Sequence, residues 1–223
     1  MEIEENDAGG TTVILQAGDD LASIPDSHSH LLTPQLQAAF PDPVACFQQI
    51  AQKCPFPEMT RWLNALVEQS NWELQLHQGD PTEWTAAGYC WYSESVLGAI
   101  IDLPGTGACD YPKVLANYYS LVDSVRWNAF GYAGGLDGAG GHEPIRTFSY
   151  DYHGADVNPD DVSVWGWSLC GDMILWTADG RGGWMSHETG HIHLLGTIEE
   201  TINWIYARLN DNEVPEYDYK WTQ

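Results

Sequence analysis

The sequence predicts an α+β protein: a twisted, mainly antiparallel sheet flanked by helices, with an added N-terminal helical region. Three observations carry this reading. Helical spacing of apolar residues dominates between residues 33 and 67, and short alternating runs split by glycine-rich turns dominate after Arg126. A strongly capped helix then closes the patterned part of the chain. Helices, then strands, then one packing helix is an α+β order and not a βαβ repeat. With 223 residues, 43% of them hydrophobic, the chain can bury a sizeable core. Eleven Trp and eleven Tyr add large aromatic area to it.

The elements follow in chain order. Residues 1–30 carry seven acids and no Lys or Arg, and read as an acidic, loosely ordered tail in which only Thr12 to Gln16 looks strand-like. Residues 31–95 read as a helical region packed on the core. Thr33-Pro34 and Asp42-Pro43 each set a capping residue before a proline, the arrangement that starts a helix. Met59, Trp62, Leu63, Leu66 and Val67 share one helical face, and Trp72, Leu74 and Leu76 alternate as in a half-buried strand. Residues 96–223 read as the main α+β core with an acidic C-terminal tail. The run Val96 to Ile101 fits a buried strand or a short helix equally well. After Tyr111-Pro112, helical spacing extends from Val114 through Leu115, Tyr118, Leu121 and Val122 to Val125.

Beyond Arg126, Phe148, Tyr150 and Tyr152 alternate, as do Val162 and Val164 against Trp165 and Trp167. Met173 to Trp176 is a further apolar run, and Gly131 to Gly141, Leu169 to Asp172 and Asp179 to Gly183 read as turns. The last helix carries the strongest local signature. Thr197 and Glu200 match a capping box ahead of Ile198, Ile202, Ile205 and Leu209 on one face.

Charge bounds the function. Thirty-two acids against eight Lys and Arg give a formal charge of −24. That field repels nucleic acid and anionic lipid, so neither is expected as a direct partner, and it draws in basic proteins. No stretch is apolar enough for a membrane helix and the acidic start is unlike a secretory signal. Cys46, Cys54, Cys90, Cys109 and Cys170 are odd in number and lack a C-x-x-C pair, which fits reduced thiols in the cytoplasm.

Several motifs offer chemistry. His187-Glu-Thr-Gly-His191 matches H-E-x-x-H, whose two histidines bind zinc from one helical turn while the Glu acts as base. Gly190 and the glycine-rich lead-in oppose a helix there. The segment reads better as a hairpin, with Gly183 to His187 and His191 to Leu195 as strands and Glu188-Thr-Gly190 as the turn. A zinc peptidase is therefore the minor alternative. Gly166-Trp-Ser168-Leu-Cys170-Gly171 departs from the G-x-S-x-G nucleophile elbow and leads into a strand. Gly131 to Gly141 has no lysine to cradle phosphate, and the aspartates lack calcium-loop spacing. The expectation is no cofactor, no metal and no catalytic residue.

What remains is the acids. Asp151, Asp156, Asp160, Asp161, Asp172 and Asp179 lie between Arg146 and Arg181 without an intervening base. Partner binding is expected first at Asp151, Asp156, Asp160 and Asp161, then at Glu213, Glu216 and Asp218, with Trp165 or Tyr219 as aromatic anchors.

Val164-Trp-Gly-Trp167, Gly171-Asp172 before a strand, Asp179-Gly180, the hairpin Trp184 to Leu195 and the helix Thr197 to Leu209 together resemble the SUKH superfamily. Its members include fungal cell-wall-synthesis regulators and bacterial immunity proteins. Tyr111-Pro112-Lys113 is similar to that family's proline-led helix, so the resemblance covers about residues 96–210. It implies a twisted sheet flanked by helices and non-enzymatic binding of a cognate toxin, often a nuclease. The expected function is therefore an immunity protein that neutralises a basic toxin domain. The alternative is an intracellular adaptor of the fungal regulator type.

Overall fold

The computed structural model describes residues 1–5, 10–16, 18–68, 72–78, 86–91, 98–101, 103, 113–129, 132–154, 156–168, 170–211 and 213. Among them thirteen strands form one sheet. They are β1 (Glu2–Glu5), β2 (Thr11–Leu15), β3 (Trp72–Gln78), β4 (Ala86–Trp91), β5 (Gly98–Ile101), β6 (Val125–Ala129), β7 (Tyr132–Leu136), β8 (Glu143–Pro144), β9 (His153–Gly154), β10 (Val162–Trp167), β11 (Met173–Thr177), β12 (Arg181–Met185) and β13 (His191–Thr197). The helices are α1 (Asp26–Ser29), α2 (Pro34–Ala39), α3 (Pro43–Lys53), α4 (Pro57–Val67), α5 (Ala116–Tyr119) and α6 (Ile198–Asn210). In space the strands run β1 to β7 in sequence order, then β10 to β13, then β9, with β8 beside β10. All the pairings are antiparallel except that of β9 with β13. The protein is thus α+β with a mostly antiparallel sheet, as the element pattern predicts.

The helices form where capping and spacing require. Thr33 and Asp42 accept backbone N–H bonds from Leu36 and Ala45 at 3.2 and 2.9 Å, and a proline opens each helix. Helix α4 buries Met59, Trp62, Leu63 and Leu66. Its partner is α6: Trp62 packs on Tyr206 at 5.2 Å, Asn203 accepts from the Glu58 N–H, and Asn210 donates to the Glu58 carbonyl at 3.0 Å. At the start of α6 both halves of the capping box are made, Thr197 to the Glu200 N–H and Glu200 to the Thr197 N–H.

One core spans the chain from Val13 to Leu209 on the helix-covered face, and includes Trp127, Trp165, Ile174, Trp184 and Ile205. A second, smaller core lies on the opposite face of β10 to β13, built from Ile145, Val162, Val164, Met173, Leu175, Met185 and Ile192. The period of two along a strand divides Met173 and Leu175 from Ile174, and Met185 from Trp184.

Four segments differ from the expectation. The described residues of 1–30 do not form a loose tail: β1 and β2 extend the sheet because Val13 and Leu15 pair with Leu76 and Leu74, and both are fully buried. His28 is buried against Thr11, its Nε2 3.0 Å from the Thr11 hydroxyl. The helix expected after Tyr111-Pro112 (both outside the described residues) is a 3₁₀ turn at Lys113–Leu115 followed by the four-residue α5. Val125 leaves that helical spacing and opens β6, where strand pairing buries it. The glycine-rich stretch 131–141 is not simply a loop, since it contains β7. Glycine there permits close approach: a Cβ on Gly166 would sit 2.0 Å from the Gly135 carbonyl oxygen. Phe148, Tyr150 and Tyr152 are not in a strand. They belong to an irregular segment, residues 145–154 and 156–161, that straps the second core.

Candidate functional site: the acidic strap

The strap is fixed from its inner side. Ile145 is fully buried, and Phe148, Tyr150, Tyr152 and Val157 pack against the second core. Phe148 meets Trp167 edge-on at 5.3 Å, and the Ile145 and Phe148 carbonyls share the single proton of the Tyr152 hydroxyl. Midway, β9 docks on β13, where the His153 N–H donates to the Gly190 carbonyl at 3.2 Å. At its end Asn158 caps a 3₁₀ turn by accepting from the Asp160 N–H, and the Asp161 carbonyl accepts from the Ala178 N–H at 2.9 Å. With the apolar side chains inward, Asp151, Asp156, Asp160 and Asp161 are all exposed.

Two bases that bound the acidic stretch in sequence fold back onto it. Arg146 pairs with Asp160, and Arg181 holds Asp179 through its Nε and Nη2 at 2.9 and 2.7 Å. Hydrogen bonds from Arg181 and then Thr177 hold the Asp179 carboxyl down at about 2. Asp161, Thr177, Asp179 and Arg181 line a common pocket. The Arg146–Asp160 pair joins the two ends of the strap across fourteen residues, whereas Arg181 and Asp179 stand two residues apart at the β11–β12 turn.

The expected site residues do not form one patch. Asp161 lines a pocket with Asp179 and Arg181, Asp156 lies close enough to act on Arg181, and Asp160 beside Asp161 pairs with Arg146, whereas Asp151 lies by the β12–β13 turn, close to Gly190. Glu213 is exposed but follows α6 and pairs with Arg208. Since Ile198 starts α6 next to Gly180, Glu213 lies roughly 20 Å further along that helix axis. Glu216, Asp218 and Tyr219 lie outside the described residues. Trp165 must be withdrawn as a surface anchor. It is fully buried on the helix-covered face, edge-on to Tyr118 at 5.2 Å, because the bulge between Val164 and Gly166 turns it into the main core.

The H-E-x-x-H segment is the hairpin turn between β12 and β13. Gly190 has φ +72°, and a Cβ there would lie 2.5 Å from the Asp151 carbonyl oxygen. The helix that would align His187 with His191 is not formed. His187 turns instead to Asp172, which accepts from its Nδ1 at 2.9 Å and from its backbone N–H at 3.0 Å. Ser168 is 2% exposed, and its hydroxyl accepts from the Cys170 and Asp172 N–H groups as a turn former. The His187–Asp172 pair was not foreseeable from motif spacing, since the two residues meet only through the β11–β12 hairpin. At β9 the His153 and His191 rings meet edge-on at 5.2 Å; burial, then His153 and His193, lower the His191 pKa. Among the described residues no group of three or more His, Cys, Asp or Glu is arranged to hold a metal ion, and no helix is long and apolar enough to cross a membrane.

No protein-family model, curated protein or solved structure matches the chain. The likeness to the SUKH superfamily rests on its sequence pattern alone.

Proposed function

We propose that the protein is a non-catalytic binder that captures a basic protein through its acidic strap. In this reading it is a cytoplasmic immunity protein and its partner is a cognate bacterial toxin domain of nuclease type. The observation that supports it is the division of the strap into half-buried aromatics packed on the second core and exposed carboxylates. A nuclease needs a basic face for phosphates, and an acidic surface complements that face. Aromatic anchoring also limits the ordering cost that a loose acidic loop would meet on binding. Asp151, Asp156 and Asp161 have no guanidinium partner among the described ion pairs, unlike Asp160. They are the first candidates for steering.

The test is inhibition and association kinetics with a toxin domain of nuclease type, sought first in any gene that adjoins this one. Replacing Asp151, Asp156 and Asp161 with Asn should slow association roughly 3–10-fold at low salt and flatten its salt dependence, with little change in dissociation. Wild-type association that does not respond to salt would remove charge steering from the reading. Absence of any complex with that toxin would remove the immunity function itself.

A further inference from the structure

We propose that the free edge of β1 docks an extended segment of a partner protein in which basic and apolar residues alternate. Among the described residues no strand lies beyond β1. An edge strand offers a row of backbone N–H and C=O groups to an incoming strand. The same edge carries Met1 and Ile3, which are 48% and 52% exposed, the large hydrophobics that the fold leaves in solvent among the described residues.

Register explains their exposure. Ile3 pairs with Val13 and Val13 pairs with Leu76, so the three share the core face of the sheet. Val13 and Leu76 are fully buried, while Ile3 continues their row one strand beyond the covering helices. Met1 has the same parity as Ile3. Glu2 and Glu4 have the opposite parity and pair with Ile14 and Thr12. An added strand would therefore cover Met1 and Ile3 with its apolar positions and meet Glu2 and Glu4 with its basic ones.

Charge selects the occupant. A second copy pairing β1 with β1 would bring glutamates against glutamates, which is unfavourable across a ladder. Acids on an edge guard against self-pairing and leave the backbone open to a strand of opposite charge. This edge is the far end of the strand order from β13 and β9, where the strap docks. The inference is independent of the toxin reading.

The experiment uses the full chain and an end-blocked Lys-Val-Lys-Val-Lys peptide, followed by amide chemical shifts. Saturable shifts centred on Glu2–Glu5 are expected, and a Glu-Val-Glu-Val-Glu peptide should produce none. Glu2→Lys/Glu4→Lys should weaken binding at least 10-fold, and Glu2→Gln/Glu4→Gln should weaken it less. Glu188→Lys/Glu199→Lys makes the same charge change at two exposed positions away from β1 and should alter binding less than 3-fold. Equal losses from the two charge reversals, or shifts spread over the acidic surface without saturation, would overturn the proposal. So would self-association in sedimentation that Ile3→Lys abolishes, because the occupant would then be a second copy.

Discussion

The two faces of strands β10 to β13 are covered by different means. On one, Trp165, Ile174 and Trp184 lie under helices, with α6 tied to α4 through Trp62–Tyr206 and the Asn210–Glu58 bond. On the other, Val162, Val164, Leu175 and Met185 lie under a strap with no regular structure longer than a 3₁₀ turn. A helix satisfies its own backbone and needs only an apolar stripe. A strap must satisfy its backbone piecemeal, through the Tyr152 hydroxyl, the Asn158 cap and the short β9 ladder. The helical face should therefore carry global stability, and the strap should open locally at lower cost.

The largest effect that would sharpen this contrast is Trp165→Ala. It removes a fully buried indole from the helix-covered core and should cost about 3–5 kcal/mol in denaturant unfolding. Any weakening of partner binding should follow the fraction unfolded. A variant of wild-type stability that binds poorly would restore Trp165 as a contact. Next comes Thr197→Ala, which removes the side-chain half of the capping box and should lower stability by about 1 kcal/mol. Tyr152→Phe should act differently. Its lost hydrogen bonds should cost about 0.5–1.5 kcal/mol, read in amide exchange as faster opening of residues 145–157 with β11 and β12 unchanged. If β11 and β12 exchange faster in step with the strap, the two faces form one cooperative unit and the contrast fails.

The same division explains what the sequence could and could not reveal. The helical stripe of α4, the capping box of α6 and the turn at Gly190 are local patterns, and each is where its residues predict. The strap defeats local reading because Phe148, Tyr150 and Tyr152 alternate like a strand but pack half-buried on the second core from an irregular segment. Arg146 looks remote from Asp160, fourteen residues on, which it meets only once the strap is folded. At the N-terminus, abundant acid hides two buried positions, Val13 and Leu15, whose partners lie about sixty residues away on β3. Four exposed acids of the strap were legible from composition and turn residues. Their division between two ends of β13, and the burial of Trp165, depend on pairing and on one bulge.

The smallest expected effect concerns the polar groups of the β7–β8 connection that pack on the helix-covered side, and its sign can be derived. Trp176 Nε1 donates to His142 Nδ1 at 2.9 Å, so Nε2 carries the proton of the neutral ring and faces the Tyr119 hydroxyl. Tyr119 in turn donates to the Asp137 carbonyl at 3.0 Å. Burial lowers the His142 pKa to about 4, and burial raises the Asp137 carboxyl to about 6. In the unfolded chain the values are about 6.5 and about 3.9. A histidine depressed on folding loses its stabilising contribution as pH falls from 6.5 towards 4. A carboxyl raised on folding gains stability as pH falls through 6 towards 3.9. Over the shared window the two slopes oppose, so their net effect on the wild-type curve should be small. Single variants should separate them. Relative to wild type, His142→Gln should become more stable as pH falls from 6.5 to 4, and Asp137→Asn less stable. Unfolding midpoints at half-unit pH steps provide the measurement. Curves for both variants that run parallel to wild type would mean that neither group titrates across folding in this window.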